Sequence, residues 1–234
     1  MSSIRDLSLA PYFISAISVD NVIFAFEDKR LRVLLVERTV KPYEGKWALP
    51  GDMVHANEDL DTSANRVLRE LTGLEGVYLE QVASFGNPAR HPTGRVVTVA
   101  YYSLVRERNH PVSPKGWARR ARYFDIDDLP ALAFDHADIL QGCLERLRER
   151  VRTRPLGFEL LPQTFSLSDL QALYESILGY QLDKRNFRKK ILAMGVVEDT
   201  GELQENVSHR PAKLYRFNEG EYQELKEQGF SFAV

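Results

Sequence analysis

One stretch, Leu49 to Leu74 (LPGDMVHANEDLDTSANRVLRELTGL), limits the folds open to the chain more than any other. Leu60, Ala64, Val67, Leu68 and Leu71 recur at steps of three and four, which places them on a single stripe of a helix. Gly73 follows as a C-terminal cap, and Pro50-Gly51 mark the loop that leads in. Such a stripe must be buried against another layer. The flanking segments supply it. Tyr12 to Arg38 alternates and runs apolar around a turn near Glu27-Asp28-Lys29-Arg30. Val77 to Phe85 and Arg95 to Val105 are β-rich, and Trp117 to Ile126 offers a further strand. Strands before and after a helix, with mixed connections, predict an α/β/α sandwich. Trp47 is expected to pack under the loop between Pro42 and Gly51.

A second amphipathic helix follows from Ala137, Leu140, Leu144, Leu147 and Val151, and Arg154-Pro155-Leu156-Gly157 breaks it. The boundary between domains is expected near residues 152–163, giving a first domain over 1–152 and a second over 160–234. At 234 residues, with 44% hydrophobic and 27% charged residues, the chain has the composition of a soluble protein with room for both. Its apolar runs are too short to span a bilayer, and the first residues lack the layout of a signal peptide. Cys143 is the only cysteine, so disulfide stapling is excluded; a structural thiol in a reducing cytoplasm is expected. The five histidines are scattered without metal-ligand spacing, and no catalytic triad, phosphate loop or dinucleotide fingerprint is present, so neither metal nor cofactor is expected.

The second domain reads as helix, tight turn, helix and hairpin. Ser166 with Asp169 three positions on starts a helix carrying Leu167, Leu170, Leu173, Tyr174, Ile177 and Leu178, and Gly179 stops it. Tyr180-Gln181-Leu182 leads to Asp183, an N-cap for a second helix expected to end at Gly195, with Phe187, Ile191 and Met194 on its buried face. Val196-Val197 and Leu214 to Phe217 then form a hairpin, the wing of a winged helix. Five basic residues stand between positions 184 and 190: Lys184, Arg185, Arg188, Lys189 and Lys190. Net charge is only −2, so any affinity for DNA must come from local clustering of this kind. Arg185, Asn186 and Lys189 are the candidates for base edges in the major groove. Arg188, Lys190, Arg210 and Lys213, with Lys184 beside them, are the candidates for phosphates.

Leu49 to Leu74 resembles the Nudix box, whose pattern is glycine, five residues, glutamate, seven residues, then Arg-Glu-apolar-x-Glu-Glu-x-Gly-apolar. Glu58, Arg66, Glu70, Gly73 and Leu74 match. One residue is inserted between Gly51 and Glu58, and Asp52 stands where many active members have a second glycine. Val67 and Leu71 occupy two of the three positions where the family holds metal-binding glutamates. Carboxylates at 67, 70 and 71 would share one helical turn and could hold divalent metal across a pyrophosphate; here only Glu70 remains. The resemblance therefore implies a Nudix fold without efficient hydrolysis.

Over nearly its whole length the chain resembles the Nudix-related transcriptional regulators of NAD metabolism, the NrtR family. The residues that carry the likeness are RVLRELTGL, GRVVTVAYYSLV after FGNPARHPTG, LPALAFDHADIL, and FSLSDLQALYESILGYQLDKRNFRKKI, in this order. The resemblance implies a homodimeric repressor of NAD biosynthesis or salvage genes that binds operator DNA and senses ADP-ribose or a related nucleotide. The candidate pocket residues are Arg38, Gly51, Glu70, Phe85, Arg90 and Arg95, the arginines for the diphosphate. Two alternatives stay open: an active hydrolase of ADP-ribose or a sugar nucleotide, drawing acids from outside the box, and a nucleotide-binding adaptor whose winged helix meets protein.

Overall fold

The computed structural model describes residues 16–205 and 210–228; the expected strand residues Tyr12 to Ser15, and His209 in the wing, lie outside the described residues. The chain opens with β1 (Ala16–Glu27) and β2 (Arg30–Arg38), joined at Asp28-Lys29, both with positive φ, as a tight hairpin turn requires. Then come β3 (Trp47–Ala48), β4 (Gly51–Met53), α1 (Leu60–Thr72), β5 (Glu80–Phe85), β6 (Val96–Val105), β7 (Ala118–Asp125) and α2 (His136–Thr153). The strands form a seven-stranded sheet in the order β3-β2-β1-β6-β5, with β4 paired to β1 and β7 to β2.

β1 lies in the middle and is buried from Ser18 to Phe26 without a break, the pattern of a strand covered on both faces. Its side chains alternate. Val19 joins the cluster that receives α1, and Asn21 Nδ2 donates to Ala64 O at 3.1 Å. Asp20, between them, faces the other way, towards His136 at the start of α2. The two helices therefore cover opposite faces, and the expected sandwich is present.

α1 is capped at both ends as the sequence predicts. Asp59 accepts from Thr62 N at 2.7 Å, and Gly73 takes φ +78° where a Cβ would stand 3.2 Å from Ser113. Its stripe packs Ala64, Val67 and Leu71 against Val19, Val36, Val99, Tyr101 and Ala118. In α2 the buried set is Ile139, Leu140, Cys143, Leu144, Leu147 and Val151, while Ala137 is exposed. Burial pushes the Cys143 thiol up to about 12, as befits a structural rather than a nucleophilic sulfur. Trp47 does not lie under its loop: it pairs through β3 with β2, and its ring meets Phe124 of β7 edge-on at 4.7 Å.

The C-terminal segment comprises β8 (Phe165–Ser166), α3 (Leu167–Leu178), α4 (Lys184–Ala193), β9 (Val197–Leu203), β10 (Lys213–Phe217) and α5 (Glu219–Glu227). β8, β10 and β9 form an antiparallel three-stranded sheet. Leu170, Leu173, Tyr174, Ile177, Phe187, Ile191 and Val196 make the core. The capping box at Ser166 and Asp169 is complete, and the Gly179 cap stops α3 at φ +78°. α4 ends two residues earlier than expected, so Met194 is a half-buried cap rather than a core residue, and Val196 fills that place. Two short elements, β8 and α5, carry too little periodicity to be read in advance. By compactness, residues 16–23, 33–103 and 111–143 form one unit. Residues 24–32, 104–110, 144–205 and 210–228 form the other.

Val67 is fully buried, so Val67→Glu removes about 2 kcal/mol of apolar transfer energy and buries a carboxylate with no counter-ion. Urea denaturation is expected to show a loss of about 3 kcal/mol or more; an unchanged midpoint would contradict the core role given to this residue.

Candidate ligand pocket and nucleic-acid interface

A cavity of about 350 Å³ opens where the ends of β1, β2 and β4 meet the loops before β6 and α2. Of the sequence candidates Arg38, Gly51 and Arg90 line it, together with Asp20, Asp52, Trp117, Phe134 and His136, which the sequence did not mark for a pocket. Arg38 is buried at the end of β2, its guanidinium 4.6 Å from the Trp117 ring centroid and 5.0 Å from that of Phe134. Burial lowers its pKa while Asp52 and Asp20 raise it, yet an arginine stays charged. Its Nε donates to Pro42 O at 2.9 Å, and among the described residues its terminal amines have no hydrogen-bond partner. Trp117 is oriented by a 3.0 Å bond from Nε1 to Asp52 Oδ2. Arg38 is thus a partly desolvated cation held between two aromatic rings, with donors to spare for an anion.

Arg90 is different. Its Nε and Nη2 each reach Asp135 at 2.8 Å in a forked pair, and Nη2 lies 3.5 Å from Asp20. Two carboxylates already neutralise this arginine, so it braces the wall. Asp20 also accepts from Thr98 Oγ1 at 2.7 Å and lies 3.4 Å from His136 Nε2. His136 Nδ1 accepts the Leu49 N–H at 2.8 Å, which makes Nε2 the protonated nitrogen in the neutral ring. Burial lowers the His136 pKa; Asp20 and Asp135 pull the other way. On the other side of the cavity His91 stacks on Phe134, centroids 5.0 Å apart. Phe134 holds φ +53°, a costly conformation for an aromatic residue that brings its ring into this stack.

Gly51 is required by close approach: in the β1–β4 pair it stands opposite Asp20, and a Cβ there would overlap the Asp20 carboxylate. The other three sequence candidates lie outside the lining. Glu70 is exposed and paired with Arg66 at 3.1 Å. Arg95 donates to Gly86 O, and Phe85 borders a separate hollow with Tyr43, Asn87 and Asp138. Glu58, the remaining box acid, receives Arg66 at 2.6 Å, and this bond holds its carboxyl down at about 2. Arg66 therefore neutralises both box carboxylates. The residues present do not fit a catalytic metal cluster, and among the described residues no group of three or more His, Cys, Asp or Glu is arranged to hold a metal.

In the winged helix, the turn before α4 is stapled to α3: Gln171 Nε2 donates to Leu182 O at 3.1 Å, and Leu182 N donates to Glu175 Oε1 at 2.8 Å. Asp183 caps α4 through Asn186 N at 2.8 Å. Phe187 and Ile191 fix the buried face, so Arg185 and Lys189 project on the opposite side, with Lys184, Asn186 and Lys190 also exposed. Arg188 does not: it is half-buried and donates from Nη2 to Ser168 Oγ on α3 at 2.8 Å. Lys213 is held by Asp199 at 2.6 Å, and Arg210 is exposed.

Residues 15–143 match the NUDIX domain, and residues 157–217 match the NrtR DNA-binding winged helix domain. The ADPR responsive transcriptional repressor NtrR of Acinetobacter baylyi is 39% identical over 207 residues, 86% of this chain and 81% of the relative. The chain belongs to the NrtR family. Shewanella oneidensis NrtR, solved with a 27mer DNA, superposes with a TM-score of 0.74 at 29% identity, over 92% of this chain and 97% of that one. The NUDIX domain of the same NrtR, solved with ADP ribose, gives a TM-score of 0.55 at 30% identity over 63% of this chain and 99% of that domain. The NrtR architecture of a Nudix domain followed by a winged helix is therefore shared along the chain.

His136 links pocket and fold in this NrtR protein. Its folded pKa lies below the ordinary 6.5, so its contribution to stability is full above about pH 6.5 and is lost as pH falls through the depressed value. Thermal unfolding followed from pH 7.5 to 5.5 is expected to show a falling Tm. His136→Asn keeps an acceptor for Leu49 N and should flatten most of that slope; an unaltered slope would locate it elsewhere.

Proposed function

We propose that this chain is a DNA-binding repressor of NAD biosynthesis or salvage genes whose Nudix domain senses ADP-ribose, or a closely related nucleotide, without efficiently hydrolysing it. The observation that carries the proposal is a Nudix domain with Val67 and Leu71 as core residues, in one chain with an NrtR winged helix. The responsiveness of the A. baylyi relative to ADP-ribose and the two S. oneidensis complexes supply the identity of ligand and partner. The lining supports it too: Arg38 offers charge-assisted donors to a diphosphate, and Asp20 and Asp52 offer acceptors to ribose hydroxyls.

In this reading residues 1–152 sense the nucleotide and 160–234 bind the operator, and the protein works in the cytoplasm. Two copies act together, since one small winged helix reads few bases and a two-fold dimer reads two half-sites. Ligand binding favours a dimer geometry whose recognition helices no longer match the half-site spacing, and the operator is released. Glu70, Phe85 and Arg95 have no part in the pocket as built; Arg38 has the principal one.

The test is binding to promoter fragments at fixed salt, with and without ADP-ribose, and recovery of the nucleotide afterwards. A site-specific complex dissolved by ADP-ribose, with the nucleotide intact, is expected. Arg38→Ala should keep the complex and raise the ADP-ribose needed for release at least tenfold. Turnover in magnesium without any specific complex would make the chain a hydrolase. The salt dependence separates the cations: Lys190→Ala, an exposed phosphate candidate, should lower the slope of log affinity against log salt by about one unit at most, whereas Arg188→Gln should weaken binding with the slope unchanged.

A further inference from the structure

α4 presents more than charge on its outward side. At about 100° per residue, Arg185, Lys189 and Leu192 fall at i, i+4 and i+7 on one stripe, opposite the buried Phe187 and Ile191. Leu192 is 47% exposed, a large apolar side chain placed in line with two cations. The helix itself contains no acidic residue, and Asp183 just before it is occupied as the N-cap. The stripe spans about 10 Å along the helix axis, which corresponds to about three base steps.

The chemistry of such a stripe is selective. Arginine and lysine suit guanine or phosphate oxygens, but a leucine gains nothing from either. An isolated exposed leucine on a protein surface needs no explanation; one in register with the groove-facing cations has a specific counterpart. The major groove carries one apolar group, the C5-methyl of thymine, and apolar side chains read it by contact. The surrounding positive charge suits DNA and opposes a second copy of this face, whose like charges would be brought together.

We propose that Leu192 is a specificity-determining residue that reads a thymine methyl group in the half-site contacted by Arg185 and Lys189. The proposal rests on the DNA-binding reading above. Leu192 contributes discrimination between thymine and bases lacking that methyl, and no part of the salt dependence.

The experiment uses the full-length protein and a promoter fragment it protects in a footprint. Each thymine of the protected half-site is replaced in turn by uracil, which deletes the C5-methyl and keeps the base pair. Affinities are measured for the wild type and for Leu192→Ala, with Tm and sedimentation confirming that the variant is folded and of unchanged oligomeric state. At one position the wild type is expected to lose about fourfold, the equivalent of one buried methyl group, while Leu192→Ala, already weaker on thymine, loses nothing further there. Equal losses for both proteins at every position, or no loss for the wild type anywhere, overturn the assignment. A variant that changes oligomeric state overturns it in favour of an interface between copies. Failure of the wild type to protect any fragment removes the DNA-binding reading itself, a different result from a specific complex indifferent to uracil.

Discussion

The fold depends on a carboxylate buried in the middle of its central strand. Asp20 is 4% exposed in a run of apolar residues, and such a group is tolerated only when its charge is compensated. Arg90, Thr98 and His136 do so, and they come from the loop before β6, from β6 itself and from the start of α2. Satisfying one side chain thus fixes the meeting point of three segments. The alternation of β1 sends Val19 and Asn21 to the opposite face, where α1 packs, so the same strand positions both helices. Gly51 belongs to this constraint as well, because only a residue without a Cβ can stand opposite Asp20.

The box helix places structural side chains at two positions of a metal-binding motif. The metal-binding pattern of this box uses carboxylates charged on one accessible helical turn. Here positions 67 and 71 are committed to the sheet, and Arg66 bonds the Glu58 and Glu70 carboxylates together with Met53 O. The Arg66 bonds tie the loop after β4 to the helix and draw both acids into ion pairs. A three-carboxylate cluster at 67, 70 and 71 would require removing apolar burial and releasing Glu70 from Arg66 at the same time. A single substitution does only one of the two.

Local order was legible in the sequence because its signals are local. The stripe of α1, the Gly73 stop, the Ser166-Asp169 capping box and the Asp183 cap each lie within one or two turns, and all are found where spacing predicts. The pocket was only half legible. Arg38 and Gly51 stand out by charge and conformational freedom, whereas Asp20, Trp117, Phe134 and His136 acquire meaning only by meeting across 87 or more sequence positions in some pairs, as Leu49 and His136 do. A signal was present nonetheless: an aspartate inside the apolar run SVDNVIF calls for a buried partner. Glu70 is the opposite case, a residue at its motif position that lies outside the cavity lining and is paired with Arg66. In the winged helix the 3.6-residue period places Arg185 and Lys189 outward, as the sequence predicts, whereas Arg188, expected at a phosphate, is turned to Ser168 by a contact between helices that spacing does not show.

The pocket's charge balance narrows what it can hold. Arg90 is matched by Asp135 and Asp20, which leaves Arg38 as the buried cation with free donors, and Asp52 stands nearby. A bare polyphosphate would gain Arg38 and Lys41 and face two carboxylates. A diphosphate joined to sugars can place its charge at Arg38 while hydroxyl groups donate to Asp20 or Asp52, turning the repulsive groups into acceptors. In the proposed reading, selectivity for a sugar-bearing diphosphate over inorganic pyrophosphate follows from these acids, which repel phosphate charge and, beside their bonds to Thr98, Arg90 and Trp117, keep lone pairs for hydroxyl donors.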